Sequence, residues 1–293
     1  MNLEDQRHAF AARVRRREFC LAPGVFDMIS LRVADRLKPD ALYMTGYGTI
    51  ASALGLPDAG LASFSDLCER ARLMAGAAAA PLIADADTGF GGLLNVAHTV
   101  RGYEAAGVAA IQIEDQEFPK KCGHTPGRKV VAAAEMVRKI EVACAARSSA
   151  DFLVIARTDA RTALGLDEAI RRAQAYRAAG ADVIFIEAPE SEAEFAAIAD
   201  AIDAPLLANM VEGGRSPLLP AARLRELGYT IAIYPGSGFL AATAALEATY
   251  QHLLASGSTL GSATPLYPIA EMHRLMGFEA VWDFDRHWAE EQS

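Results

Sequence analysis

The sequence predicts an α/β fold, a closed (β/α)8 barrel with an N-terminal helix and a C-terminal helical extension. Three observations predict it. Eight short apolar runs alternate with longer helix-like stretches. Those runs are mostly continuous rather than alternating, which suits parallel strands covered on both faces. Polar residues recur at one end of the runs: Thr45, Asp85, Asp87, Glu114, Arg157, Glu187 and Asn209 each close a predicted strand. In a barrel these ends converge on the face where such folds carry chemistry.

Taken in order, residues 1–22 read as a helix with a charged face outside the barrel proper. Its RVRRR cluster at 13–17 reads as a solvated face, not a nucleic-acid tail. Strands are expected at 24–27, 41–46, 82–87, 110–115, 152–158, 183–187, 206–211 and 230–234. Helical patterns fill 65–80, 95–106, 133–147, 166–179, 190–201 and 220–227. Asn95, Asp167 and Ser191 are candidate N-caps, and Gly107, Gly180 and Gly228 sit where helices should stop. From about residue 262 the chain becomes an extension, with a helix near 268–276 and the aromatic tail VWDFDRHW. No Gly-rich linker separates domains, so 1–293 is expected to be one domain.

Bulk properties bound the function. The 293 residues are 52% hydrophobic and 22% charged, enough for a large core. A net charge of −9 argues against nucleic acid or anionic membrane as partner. Cys20, Cys68, Cys122 and Cys144 are scattered without zinc spacing. The N-terminus lacks the apolar run of a signal peptide, and no stretch of ~18 uninterrupted apolar residues marks a membrane span. A reducing cytoplasm fits, and would keep the Cys122 thiol available.

The chemistry is concentrated in IQIEDQEFPKKCGH, residues 111–124. An apolar strand ends in Glu114 and Asp115, and a loop follows with Lys120, Lys121, Cys122, Gly123 and His124. Neighbouring cations favour a thiolate, so Cys122 is a candidate for moving a proton. Upstream, Asp85 and Asp87 are two apart, on one face of a straight strand. Two carboxylates there repel unless a cation compensates, and an oxygen-only donor set favours Mg²⁺ or Mn²⁺ with waters retained. One of the two could instead cap the turn TGFGG. Arg157, closing a strand beside these acids, suits a bidentate grip on a carboxylate.

KKCGH after IEDQ resembles the catalytic loop of the isocitrate lyase and phosphoenolpyruvate mutase superfamily. LGLPD (54–58), DADTGFGG (85–92), ARTDAR (156–161), IEAP (186–189) and ANMVEGG (208–214) extend the resemblance in order over about 23–246. It implies that Asp85 ligates the metal directly, with Asp87, Glu114 and Asp58 reaching it or its waters. It makes Cys122 the acid that protonates a departing carbanion. Lys120, Lys121 and His124 would hold a substrate carboxylate or lower the thiol pKa, with Gly123 and Gly127 in a loop that closes. Glu187 and Asn209 complete the ring. Thr45, Gly46 and Tyr47 form a strand-end turn that, in relatives, gives backbone donors to a 2-oxo acid carboxylate.

Superfamily members that act on C–P bonds lack KKCGH, which places the chain with the carbon–carbon lyases. Within that branch two departures from the methylisocitrate lyases matter. Tyr47 stands where glycine is expected. Leu240, in YPGSGFL, stands where those enzymes carry an arginine for an additional carboxylate. Burying a carboxylate unpaired is costly. The expected substrate is therefore an alkyl-substituted malate, cleaved to a 2-oxo acid such as pyruvate and a short carboxylate. Oxaloacetate hydrolysis and methylisocitrate cleavage are the alternatives, and a non-catalytic barrel is the remaining one. The resemblance also implies a homotetramer of dimers that exchange their eighth helix, giving Phe278, Trp282, Phe284 and Trp288 a surface to cover. The alternative is that they fold back on their own barrel.

Overall fold

The computed structural model describes residues 2–290 apart from 124 and 126. Eight parallel strands form the barrel: β1 (Cys20–Val25), β2 (Leu42–Met44), β3 (Leu82–Asp85), β4 (Ala110–Glu114), β5 (Leu153–Thr158), β6 (Val183–Ile186), β7 (Leu207–Asn209) and β8 (Ile231–Tyr234). They pair in the order β6-β5-β4-β3-β2-β1-β8-β7. A parallel bridge between Ile184 and Leu206 brings β6 to β7 and closes the ring. β1 starts at Cys20, earlier than its sequence pattern suggested, because Cys20–Pro23 ladder onto Ile231–Tyr234 of β8.

The helices are α1 (Leu3–Arg15), α2 (Met28–Arg36), α3 (Gly46–Leu54), α4 (Phe64–Ala77), α5 (Leu93–Ala105), α6 (Ala133–Ala146), α7 (Ala160–Leu164), α8 (Leu166–Ala178), α9 (Glu192–Ala201), α10 (Ala221–Glu226), α11 (Ser237–Ser256), α12 (Ile269–Leu275) and α13 (Phe278–Glu290). Ser191 caps α9 as its position suggested. Asn95 does not cap α5; it lies inside the first turn and its side chain accepts from the Gly92 N–H. Asp167 is also inside its helix, α8, which begins after Gly165. Gly107, Gly180 and Gly228 all have positive φ at helix ends, where a side chain would be strained.

Period-two alternation sorts each strand between two cores. The inner core is the barrel lumen: Ala22, Tyr43, Ile83, Ala110, Leu153, Ile155, Phe185, Leu207 and Ile233 among others. Phe10, Ala11 and Val14 of α1 join it with the first residues of the strands, so α1 plugs the N-terminal end. The arginines of the C-terminal end of α1 and the turn after it are ion-paired: Arg13 with Asp40, Arg15 with Asp151 and, beyond the helix, Arg17 with Asp203. The outer core packs the opposite strand face against the helices.

The chain forms two compact units, one ending at Phe239 and one beginning at Leu240. In the second unit Phe278, Trp282, Phe284 and Trp288 are all exposed, and Phe278 and Trp282 stack at 6.0 Å. No helix among the described residues is long and apolar enough to cross a membrane.

Candidate active site

The alternation that fills the lumen with apolar side chains also aims the last inward residue of each strand at one mouth. Asp85, Glu114, Arg157, Glu187 and Asn209 are buried there together. Glu114 and Arg157 are registered partners on β4 and β5. One residue later the chain points the other way. Asp115 faces the helices, where it accepts from Thr158, Tyr176, Arg172 and the Asp159 N–H. The adjacent acids thus have separate duties, one in the mouth and one bracing the shell.

Arg157 is the hub of one half of the mouth. It donates to both oxygens of Asp159 at 2.9 Å. It also lies 3.3 Å from Glu114 Oε2 and 3.3 Å from Glu187 Oε2. Asn209 donates to Glu187 at 3.1 Å. Asp159 is shared with Arg128, which arrives from the far end of the KKCGH loop and also donates to Thr162. Although burial works against it, the two guanidiniums hold the Asp159 carboxyl below the usual carboxylate range. Arg128 and Asp159 were not singled out from sequence; the motif ARTDAR contained Asp159, but nothing marked Arg128.

Lys120 is the hub of the other half. Its ammonium is buried between Asp58 and Asp87, 2.7 Å from Asp87 Oδ1. Burial disfavours that charge, but Asp87, Glu114, Asp85 and Asp58 outweigh it and raise its pKa. Lys120 therefore holds carboxylates here. Lys121 reaches the Gly127 carbonyl at 3.3 Å. His124 lies outside the described residues. Cys122 is half-buried, and its N–H donates to the Asp58 carbonyl at 3.1 Å. The loop is pinned further by Gln116, whose amide brackets the Lys121 peptide at 2.8 and 3.0 Å. A Cβ built on Gly123 would fall 2.4 Å from Arg157 Nη2 and 3.0 Å from Glu187. Only glycine lets the loop lie this close to the hub.

Thr45, Gly46 and Tyr47 do not form a simple turn. They open α3, with Thr45 at its N-cap. A Cβ on Gly46 would fall 2.4 Å from Asp85 Oδ2, so glycine is needed for α3 to start against that carboxylate. Tyr47 is half-exposed and stacks on Phe239 at 5.3 Å. Leu240, on α11, is 43% exposed. Arg215 lies 3.5 Å from Glu190.

The donor set fits a hard divalent cation. Asp58, Asp85, Asp87 and Glu114 are all buried, and Glu114 Oε1 has no hydrogen-bond partner among the described residues. Burial, with Asp85 and Asp58 adding to it against the pull of Lys120, pushes the Asp87 carboxyl up to about 7. Burial likewise drives Glu114 well above its ordinary value. No three His, Cys, Asp or Glu groups among the described residues converge into a metal cage.

The phosphoenolpyruvate phosphomutase family model matches residues 10–254. The chain belongs to that family. Its relatives divide by chemistry. A 2,3-dimethylmalate lyase of Eubacterium barkeri is 48% identical over 93% of this chain and 94% of its own. A 2-methylisocitrate lyase of Aeropyrum pernix is 41% identical over 94% and 88%. Among solved structures, a 2,3-dimethylmalate lyase described as a PEP mutase/isocitrate lyase superfamily member has a TM-score of 0.90 at 36% identity, covering 96% and 95%. An oxaloacetate acetylhydrolase in complex with 3,3-difluorooxalacetate has a TM-score of 0.89 at 37%, covering 96% and 98%. A phosphonopyruvate hydrolase holding oxalate and Mg²⁺ shares the fold at 30% identity, TM-score 0.86, covering 97% and 99%. The (β/α)8 fold and superfamily expected from the motifs are therefore established.

Proposed function

We propose that this chain is a carbon–carbon lyase that cleaves a 2-alkylmalate into a 2-oxo acid, pyruvate for a 2-methyl substituent, and a short carboxylate. The carrying observation is the near full-length 48% identity to a 2,3-dimethylmalate lyase, on a chain whose KKCGH loop lies against the Arg157 hub.

Asp85 would hold Mg²⁺ directly, with Asp87, Glu114 and Asp58 reaching the ion or its waters. Bound there, the ion supplies positive charge to the substrate's 2-oxygen and neighbouring carboxylate. Lys120 keeps Asp58 and Asp87 in place. Arg157, oriented by Asp159, grips a substrate carboxylate, and Glu187 and Asn209 fix the ring around it. The backbone N–H groups of Gly46 and Tyr47, in the first turn of α3, offer donors to the 2-oxo acid end, and Thr45 sets that turn by donating its own N–H to the Val25 carbonyl at 3.1 Å. Glu114 Oε1, buried and without a hydrogen-bond partner among the described residues, accepts the alcohol proton. As the C–C bond breaks, its electron pair stays with the fragment bearing the distal carboxylate. The Cys122 thiol gives its proton to that carbon, and solvent returns a proton from Glu114 to the thiolate. Lys121 and His124 supply charge to the loop, and Gly123 lets it seat and exclude water.

A panel assay for 2-oxo acid release tests the reading: glyoxylate from malate, and pyruvate from citramalate, 2,3-dimethylmalate and methylisocitrate. Oxaloacetate hydrolysis is the second reading, because the fold matches the acetylhydrolase as closely as the lyase, with TM-scores of 0.89 and 0.90; oxalate and acetate formed from oxaloacetate would support it. The exposed Phe278, Trp282, Phe284 and Trp288 support assembly into a homotetramer of helix-exchanged dimers, which light scattering on the purified chain tests. A reducing, cytoplasmic setting suits the thiol chemistry.

A further inference from the structure

Two buried polar side chains of the lumen, Tyr43 and Gln112, have no part in the chemistry above. Gln112 is the registered neighbour of Asp85 on the adjoining strand. The Tyr43 hydroxyl donates to Gln112 Oε1 at 2.7 Å. Gln112 Nε2 then lies 3.4 Å from Asp85 Oδ1. The reverse amide orientation would set a carbonyl oxygen against a carboxylate oxygen, two acceptors with no proton between them. Asp85 Oδ1 also accepts from the Asp87 N–H at 3.0 Å. Tyr103 braces the Asp85 backbone carbonyl at 3.2 Å. The donors therefore gather on Oδ1 and the main chain, while Oδ2 is turned to the start of α3 at Gly46.

We infer that Gln112 is a positioning residue, oriented by Tyr43, that fixes Asp85 so that Oδ2 is the oxygen offered to a divalent cation. This rests on the assignment of Asp85 as the ligand. The amide suits the task because it donates to one oxygen without adding charge, whereas an ammonium would compete with the ion.

The test is Mn²⁺ affinity of the full-length protein, without substrate, by electron paramagnetic resonance. Gln112→Met should weaken Mn²⁺ about 10–100-fold, the usual cost of losing a ligand's supporting hydrogen bond. Tyr43→Phe should weaken it less, and the double variant should be no worse than Gln112→Met, since both act along one relay. Gln112→Leu, which likewise removes the donor without adding charge, should also bind Mn²⁺ more weakly. Parental affinity in either Gln112 variant, with an unchanged melting curve, overturns the inference, as do additive losses in the double variant. Asp85→Asn separates the two levels. Parental affinity there would overturn the ligand assignment itself; a loss there with none in the Gln112 variants would overturn only the role of Gln112.

Discussion

Replacing Gly123 with alanine tests whether the KKCGH loop works where the structure places it. The added Cβ would lie 2.4 Å from Arg157 Nη2, about 1 Å inside ordinary contact, which begins near 3.4 Å. A free arginine would swing aside. This one is held by two 2.9 Å bonds to Asp159 and by Glu114 and Glu187, each at 3.3 Å. The loop must therefore lift by about 1 Å and carry Cys122 with it. Backbone strain does not enter, because Gly123 is not among the positive-φ residues. A misplacement of about 1 Å costs on the order of 10²-fold in rate. The assay is kcat/KM for pyruvate release, read beside a melting curve. Gly76→Ala, on α4 with nothing within 4 Å, is the control and should leave activity unchanged. Unchanged kcat/KM in a well-folded Gly123→Ala enzyme would refute the argument that the loop reacts from this position.

Other expectations follow from single contacts. Cys122→Ala and Cys122→Ser should fold normally and lose roughly 10²–10⁴-fold in turnover, the usual contribution of a positioned acid; near-normal turnover would remove the thiol from the mechanism. Asp85→Ala should abolish both activity and its dependence on added metal, and EDTA should silence the parent enzyme; parent activity that survives EDTA would exclude the metal. Asp159→Asn leaves the buried Arg128 and Arg157 sharing no carboxylate, which should destabilise the fold by about 3–5 kcal/mol. The Asp159 pKa is depressed on folding, so its contribution is complete above the unfolded value of about 4 and fades as pH falls below it. Melting temperatures of parent and variant should differ at pH 7 and converge in acid; a constant gap would assign the loss to packing.

The sequence carried the barrel because each strand is a short apolar run and six of the eight runs close on a polar residue at the same end. It carried Asp85, Glu114, Arg157 and Glu187 for the same reason. Boundaries set by partner strands were less legible: β1 begins where β8 pairs with it. Caps misled where a glycine turn, not a side chain, starts the helix, as at Asn95 and Asp167. Lys120 looked like a neighbour for the thiol, but its ammonium is turned to Asp58 and Asp87. Arg128 was invisible because its partner, Asp159, is 31 residues away. Gln112 was visible in principle, two residues before Glu114 and so on the same strand face, yet a lone buried amide carries no signal until Tyr43 and Asp85 are seen on either side.

The central claim is the substrate, and comparing kcat/KM for 2,3-dimethylmalate and methylisocitrate on the parent enzyme tests it most directly. By the sequence resemblance, Leu240 stands where methylisocitrate lyases carry an arginine for a third carboxylate, and the loss of a buried charge partner costs about 2–5 kcal/mol. The account predicts a preference for the alkylmalate of about 30-fold or more, narrowed by Leu240→Arg and further by adding Tyr47→Gly. Equal values, or a preference for methylisocitrate, would contradict it and place the enzyme with the tricarboxylate lyases.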